Sequence, residues 1–207
     1  MRWLAAACFL SLLASQPVLA DEAEETSGSR LEQVYVNMPE ITAYGYGLDE
    51  AGQSPEAWLG EEKLSASPAV PFGETGEGIG YYVLLDVSNS IPESYFNSLK
   101  EGIVQFWENL APADTAALIT FGESVQVLQS EGADPEAVRE SLSGTDNTDN
   151  RTMLFEAVSQ AAALADRSGQ NGCRRRAVIV ISDGEDVAVG EKMAEEALDE
   201  LKEKGIP

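Results

Sequence analysis

Five residues in three separated stretches have the right chemistry to hold a divalent cation: Asp86, Ser88 and Ser90, then Thr152, then Asp183. Two carboxylates and three hydroxyls offer only oxygen. That donor set suits hard ions, Mg2+ first with Mn2+ or Ca2+ as alternatives, and waters would fill the remaining positions. So little ligand charge leaves an ion electrophilic, and a carboxylate from a partner can replace one of its waters. Each stretch also has a purely local reading: Ser88 and Thr152 as helix caps, and Asp183-Gly184 as a turn. Placed together at matching strand ends, the three favour the metal site.

The elements that must position these residues are legible from the period of the apolar pattern. Tyr81 to Leu85 is an apolar run of strand length that ends at Asp86, and Ala177 to Ser182 is a second unbroken run, expected to be buried on both faces, that ends at Asp183. Between them Phe96, Leu99, Ile103, Phe106 and Leu110 recur at steps of three and four, the stripe of an amphipathic helix with Pro92 near its first turn. Ala116 to Phe121 predicts a buried strand, Gly122-Glu123 a tight turn, and Val125 to Leu128 an antiparallel edge strand. A short helix from Asp134 to Leu142 leads to a polar loop, Ser143 to Arg151. Thr152 then starts a helix whose face of small residues includes Ala157, Ala161, Ala162 and Ala165. A loop from Gly169 to Arg176 precedes the last strand, and a charged helix runs from Glu191 to Lys204. Strands alternating with helices in this way predict an α/β, Rossmann-like, doubly wound and mostly parallel sheet, in which ligands bind beyond the carboxyl ends of the strands.

The first part of the chain reads differently. Residues 1–20 carry one Arg, an apolar run from Leu4 to Leu13 and small residues before Asp21, as in a cleaved secretory signal. Residues 21–30 are acidic and lack apolar periodicity, which predicts a disordered segment. Residues 31–80 form a small β-rich region and linker, with strands around Val34 to Met38 and Ile41 to Ala43 and a hairpin near Trp58 to Leu64. This region is too short to bury a core of its own, and is expected either to pack on the domain that follows or to be one part of a β-sandwich whose other strands lie elsewhere.

Composition removes several functional classes. The net charge of −23 repels phosphate backbones and anionic lipids, so the chain is not a nucleic-acid binder. Histidine is absent, which excludes Ser/His and Cys/His nucleophile pairs and His-containing zinc sites. With Cys8 in the signal, Cys173 has no partner in the chain for a disulfide. Asn150-Arg151-Thr152 has the form of a glycosylation sequon, but a glycan would obstruct the site, and Arg174-Arg175-Arg176 reads as a solvated loop that offsets local acidity.

The Asp86-Val87-Ser88-Asn89-Ser90 pattern, Thr152 within Asn150 to Leu154, and Ser182-Asp183-Gly184 together resemble a von Willebrand factor type A domain with a metal-ion-dependent adhesion site. The resemblance covers residues 81–207. It implies that Ser88, Ser90 and Thr152 contact the metal through hydroxyls, while Asp86 and Asp183 act directly or through water. It further implies metal-dependent binding of a protein ligand through an acidic side chain, and no enzymatic activity. Arg151 departs from the family pattern, in which small or polar residues are more common beside the Thr. The family's domain continues beyond a point such as Lys204-Gly205-Ile206-Pro207, so the chain is expected to be a truncated piece of an exported, bacterial, secreted or cell-surface protein. Membrane association would need the missing C-terminal sequence or an uncleaved signal. The rival readings are a metal-dependent hydrolase using the same carboxylates and a structural envelope protein with a vacant site.

Overall fold

The computed structural model describes residues 30–37, 40–47, 55–168, 175–184 and 191–206. The expected signal at 1–20, the acidic segment up to residue 29, Cys173 and Arg174 lie outside the described residues.

The centre of the molecule is a four-stranded sheet of order β7-β6-β5-β8, formed by β5 (Ile79–Asp86), β6 (Thr115–Phe121), β7 (Val125–Gly132) and β8 (Arg175–Ile181). β5 pairs in parallel with both β6 and β8, and β7 closes one side antiparallel to β6. Side chains alternate across a strand, and here both faces are apolar. Val83, Leu85, Ala116 and Leu118 pack on one face with Phe96, Ile103, Val104 and Trp107 of α1 (Glu93–Glu108) and Val138 and Leu142 of α2 (Pro135–Ser143). Tyr82, Leu84, Ala117, Ile119 and Phe121 pack on the other with Ala157, Val158, Ala161 and Ala165 of α3 (Leu154–Ser168) and Ala197 of α4 (Glu191–Glu203). The sheet is therefore doubly wound, an α/β Rossmann-like arrangement.

Local chemistry sets the helix starts. Asp134 caps α2 by accepting the Glu136 N–H at 3.0 Å, with Pro135 at the first helical position, where no N–H is needed. In α3, Ala157, Ala161 and Ala165 are completely buried, and their methyl groups let the helix backbone lie close to the sheet.

Several elements differ from their sequence-based expectation. The buried face of α1 is rotated toward Val104 and Trp107, which leaves Leu99, Phe106 and Leu110 only partly covered; Phe106 stands edge-on between Tyr81 and Trp107. β7 runs on to Gly132 because it stays paired with β6 as far as Ala116, and Glu131 accepts the hydroxyl of buried Tyr82. α3 begins at Leu154, so Thr152 lies in the loop before it. β8 is only half covered, with Val180 44% exposed, because it is the outer strand of the described sheet and pairs only with β5.

The two described residues of the arginine run are also not in a solvated loop. Arg175 and Arg176 open β8, and Arg176 is buried. Its guanidinium donates to Ala165 O at 2.8 Å and Lys204 O at 3.3 Å, carbonyls at the carboxyl ends of α3 and α4 where helices leave acceptors unsatisfied. Arg175 pairs with Glu32 at 2.5 Å, and the Arg176 N–H donates to Gln33 Oε1 at 3.4 Å. Glu32 and Gln33 belong to β1 (Arg30–Asn37), which forms an antiparallel hairpin with β2 (Glu40–Tyr46). That hairpin docks at the amino end of β8, helped by Tyr44, which donates to Glu77 and stands edge-on to Phe72. A second small hairpin joins β3 (Ala57–Leu59) to β4 (Glu62–Leu64). Among the described residues no helix is long and apolar enough to cross a membrane.

Candidate metal centre

β5 carries Asp86 to the carboxyl edge of the sheet and buries it completely. Oδ1 of Asp86 accepts the Ser88 N–H at 2.8 Å, an Asx-type turn that bends the chain out of the strand. Oδ2 accepts the Ser182 hydroxyl at 2.7 Å, which ties the ends of β5 and β8 together. Both donors are neutral, and no Lys or Arg pairs with this carboxylate among the described residues. A buried carboxylate without a counter-charge is costly, and a nearby cation is the natural remedy.

The turn brings Ser88 and Ser90 side by side, with their hydroxyl oxygens 2.8 Å apart. Neighbouring ligands of a six-coordinate ion bound at about 2.05 Å lie roughly 2.9 Å apart, so the pair can exchange its mutual hydrogen bond for two metal contacts with almost no movement. Ser88 is buried and Ser90 exposed, so the pair spans the boundary between the protein and solvent.

Thr152 follows a loop that is held against the Asp86–Ser90 turn by several hydrogen bonds. Asn89 N–H donates to Asp149 O at 2.8 Å and Asp149 N–H to Val87 O at 3.3 Å, which extends β5 by a short parallel bridge. Asp149 Oδ2 accepts the Glu123 N–H at 2.7 Å. Glu123 Oε1 in turn accepts from the backbone and side chain of Asn150 at 3.2 and 3.3 Å, and Asn89 Nδ2 donates to Asn150 Oδ1 at 3.0 Å. Further back, Asn147 donates to Ile91 O at 2.6 Å and Lys100 to Thr145 O at 3.1 Å. The latch depends on Gly122, since a Cβ there would lie 2.2 Å from Asp149 Oδ2. Thr152 itself is buried, 3% exposed.

Asp183 is exposed and follows Ser182, whose hydroxyl also accepts the Gly184 N–H at 3.0 Å. Gly184 has φ of 93°, a conformation glycine adopts without strain, and it turns the chain sharply just past the strand. The structure thus joins Asp86, Ser88 and Ser90 through direct hydrogen bonds. It latches the Thr152 loop to the same turn and sets Asp183 next to Ser182 at the neighbouring strand end. Asp149 is a supporting residue that spacing alone does not single out, and the same holds for the bonds that Ser182 and the Gly122-Glu123 turn make to the site. Among the described residues no three of His, Cys, Asp and Glu converge, so the donor set is dominated by hydroxyls. Hydroxyls with few carboxylates fit a hard divalent ion.

Against this geometry, residues 81–185 match the sequence profile of the von Willebrand factor type A domain, about half of the chain. The chain belongs to the von Willebrand factor type A domain family. Domains of this family typically serve in protein interaction. Solved structures with the same fold include the conserved hypothetical protein BatB from Bacteroides thetaiotaomicron, 27% identical, with a TM-score of 0.52 over 62% of this chain and 63% of that one. A von Willebrand factor type A protein from Catenulispora acidiphila is 18% identical, with a TM-score of 0.53 over 66% of this chain and 32% of that one. Proximal thread matrix protein 1 of the mussel byssus, with a zinc-occupied metal-ion-dependent adhesion site, is 15% identical, with a TM-score of 0.52 over 63% of this chain and 36% of that one. The von Willebrand factor type A chain described here thus spans less than two thirds of the length of each. No curated protein is similar enough to match.

Proposed function

We propose that this chain is a non-enzymatic, metal-dependent protein-binding module of a secreted or surface-exposed protein. In this reading Ser88, Ser90 and Thr152 hold a divalent cation, Mg2+ first, with Asp86 and Asp183 supplying negative charge, and an acidic group of the partner completes the coordination. The observation that carries it is Asp86, a fully buried carboxylate whose two oxygens meet only neutral donors beside a paired-hydroxyl turn. The zinc-occupied adhesion site of the mussel protein and the signal-like first twenty residues support the reading.

When bound, the cation would supply a Lewis-acidic centre able to take a carboxylate oxygen. The protein's own contributions are positional. Asp86 orients Ser88 and Ser182 through its two oxygens, the Asp149 latch holds the Thr152 loop, and exposed Ser90 leaves the site open to a ligand.

The test is a thermal-unfolding titration of the full chain with Mg2+ and with EDTA. Wild type should gain about 2.7 kcal/mol at a hundred times the dissociation constant. Asp86→Asn should lose that gain while remaining folded in EDTA, where removal of an uncompensated buried charge offsets the lost hydrogen bonding. A wild-type curve that Mg2+, Mn2+ and Ca2+ all leave unmoved would sink the reading.

A further inference from the structure

We propose that Arg151 is a specificity residue of this site, its guanidinium holding a second carboxylate of the ligand, so that the preferred partner presents two neighbouring acidic groups. The inference rests on the metal-centred reading above.

Three observations converge on it. Arg151 is an exposed cation immediately before Thr152, and among the described residues its side chain makes no ion pair or hydrogen bond, in a sequence that carries 36 carboxylates. The other Lys and Arg side chains described are engaged: Lys63 with Glu56, Arg139 with Glu108 and Glu136, Arg175 with Glu32, Lys202 with Asp199, and Lys100, Arg176 and Lys204 with backbone carbonyls. Two carboxylates near Arg151 have other partners, Asp149 accepting the Glu123 N–H and Glu123 accepting from Asn150, and exposed Asp146 stands five positions before it without an ion pair among the described residues.

The backbone position of Arg151 is also fixed. The Asp149 and Asn150 latches precede it, and the α3 turn in which Ala157 N–H donates to Met153 O follows at 3.1 Å. Its Cα lies about 3.8 Å from that of Thr152. A mobile guanidinium is therefore anchored beside the site.

Charge supplies the third argument. Asp86 and Asp183 cancel the formal charge of a divalent ion, and the surface around them belongs to a chain of net charge −23. An acidic ligand would meet net repulsion there unless a local cation opposed it. Arg151 is the side chain placed to do so, and the planar fork of arginine favours a carboxylate over a neutral group.

The experiment compares two synthetic six-residue peptides that differ at one position. One carries two aspartates separated by a glycine, and in the other the second aspartate is asparagine. Affinities are measured by fluorescence anisotropy on the full chain, in saturating Mg2+ and in EDTA, for wild type, Arg151→Gln and Arg151→Lys, and Mg2+ binding alone is measured by calorimetry. The wild type should prefer the paired-aspartate peptide by about five- to tenfold. Arg151→Gln should bring that ratio close to one, Arg151→Lys should fall between, and raised salt should shrink the preference. Mg2+ affinity should not weaken in Arg151→Gln, because a nearby positive charge only opposes the ion. Equal affinities for the two peptides in wild type, or an unchanged ratio in Arg151→Gln, would overturn the role of Arg151 and leave carboxylate capture standing. Absence of Mg2+-dependent binding of either peptide would overturn both.

Discussion

Replacing Gly122 by Ala places a methyl group 2.2 Å from Asp149 Oδ2, 2.7 Å from its Cβ and 2.8 Å from its Cγ. Ordinary contact begins at 3.4 Å, so Asp149 must retreat by more than an ångström. Three hydrogen bonds resist that movement: the 2.7 Å bond from Glu123 N–H to Asp149 Oδ2, and the two backbone bonds that link Asp149 to Val87 and Asn89. Loss of the first, to a charged acceptor, costs about 1.5–3 kcal/mol, and overpacking itself adds of order 1 kcal/mol. We therefore expect Gly122→Ala to destabilise the fold by about 3 kcal/mol, a melting shift of roughly 10 °C for a chain of this size. It should also weaken the Mg2+ response, because Thr152 follows the displaced residue by three. The assay is urea unfolding of wild type, Gly122→Ala, Asp149→Gly and the double variant. Asp149→Gly removes all three clashing atoms, so the double variant should cost clearly less than the sum of the singles, with a coupling of at least about 1 kcal/mol. Additive losses, or a Gly122→Ala variant with wild-type stability, would refute the latch.

Two further outcomes follow from groups away from the site, half-buried Tyr81 and buried Arg176. The Tyr81 phenol is raised above 10.0 by burial first and by the Asp114 charge second, with Arg175 pulling the other way. Because the folded value is the higher one, this contribution to stability is fully present below the unfolded pKa and is lost as pH rises through the folded value. Unfolding free energies measured from pH 9 upward, on the order of the tyrosine range, should therefore fall more steeply in wild type than in Tyr81→Phe, and parallel curves would count against it. Arg176→Met should destabilise by about 2–4 kcal/mol in the same urea assay, since it removes the buried guanidinium that donates to the Ala165 and Lys204 carbonyls; a loss below about 0.5 kcal/mol would contradict the capping role.

What the sequence made legible was whatever is written in short-range period. The apolar runs before Asp86 and Asp183, the three- and four-step stripe of α1 and the small-residue face of α3 each declare an element, and alternation of the elements declares the doubly wound sheet. The strand ends then place the two aspartates at one edge. The contact between Gly122 and Asp149 joins residues 27 positions apart and leaves no pattern, because only the Cβ that is missing reveals it. Arg176 was misread for a related reason: three arginines in a row look solvated until helix ends that lack donors are brought to them. Burial of β8 was overestimated because an apolar run reports what a strand could pair with, while coverage depends on which neighbours flank it.

The docking of the β1–β2 hairpin has a mechanical consequence. It grips the amino end of β8 through Glu32 and Gln33, whereas the Asp86–Ser90 turn and Asp183 lie at the carboxyl ends of β5 and β8. Under the proposed function, a pull between the N-terminal side and a bound partner would therefore run along β8 and β5. Seven register pairs flank β5 on each side, and a pull along its axis loads them together in shear, so no single bond has to yield first.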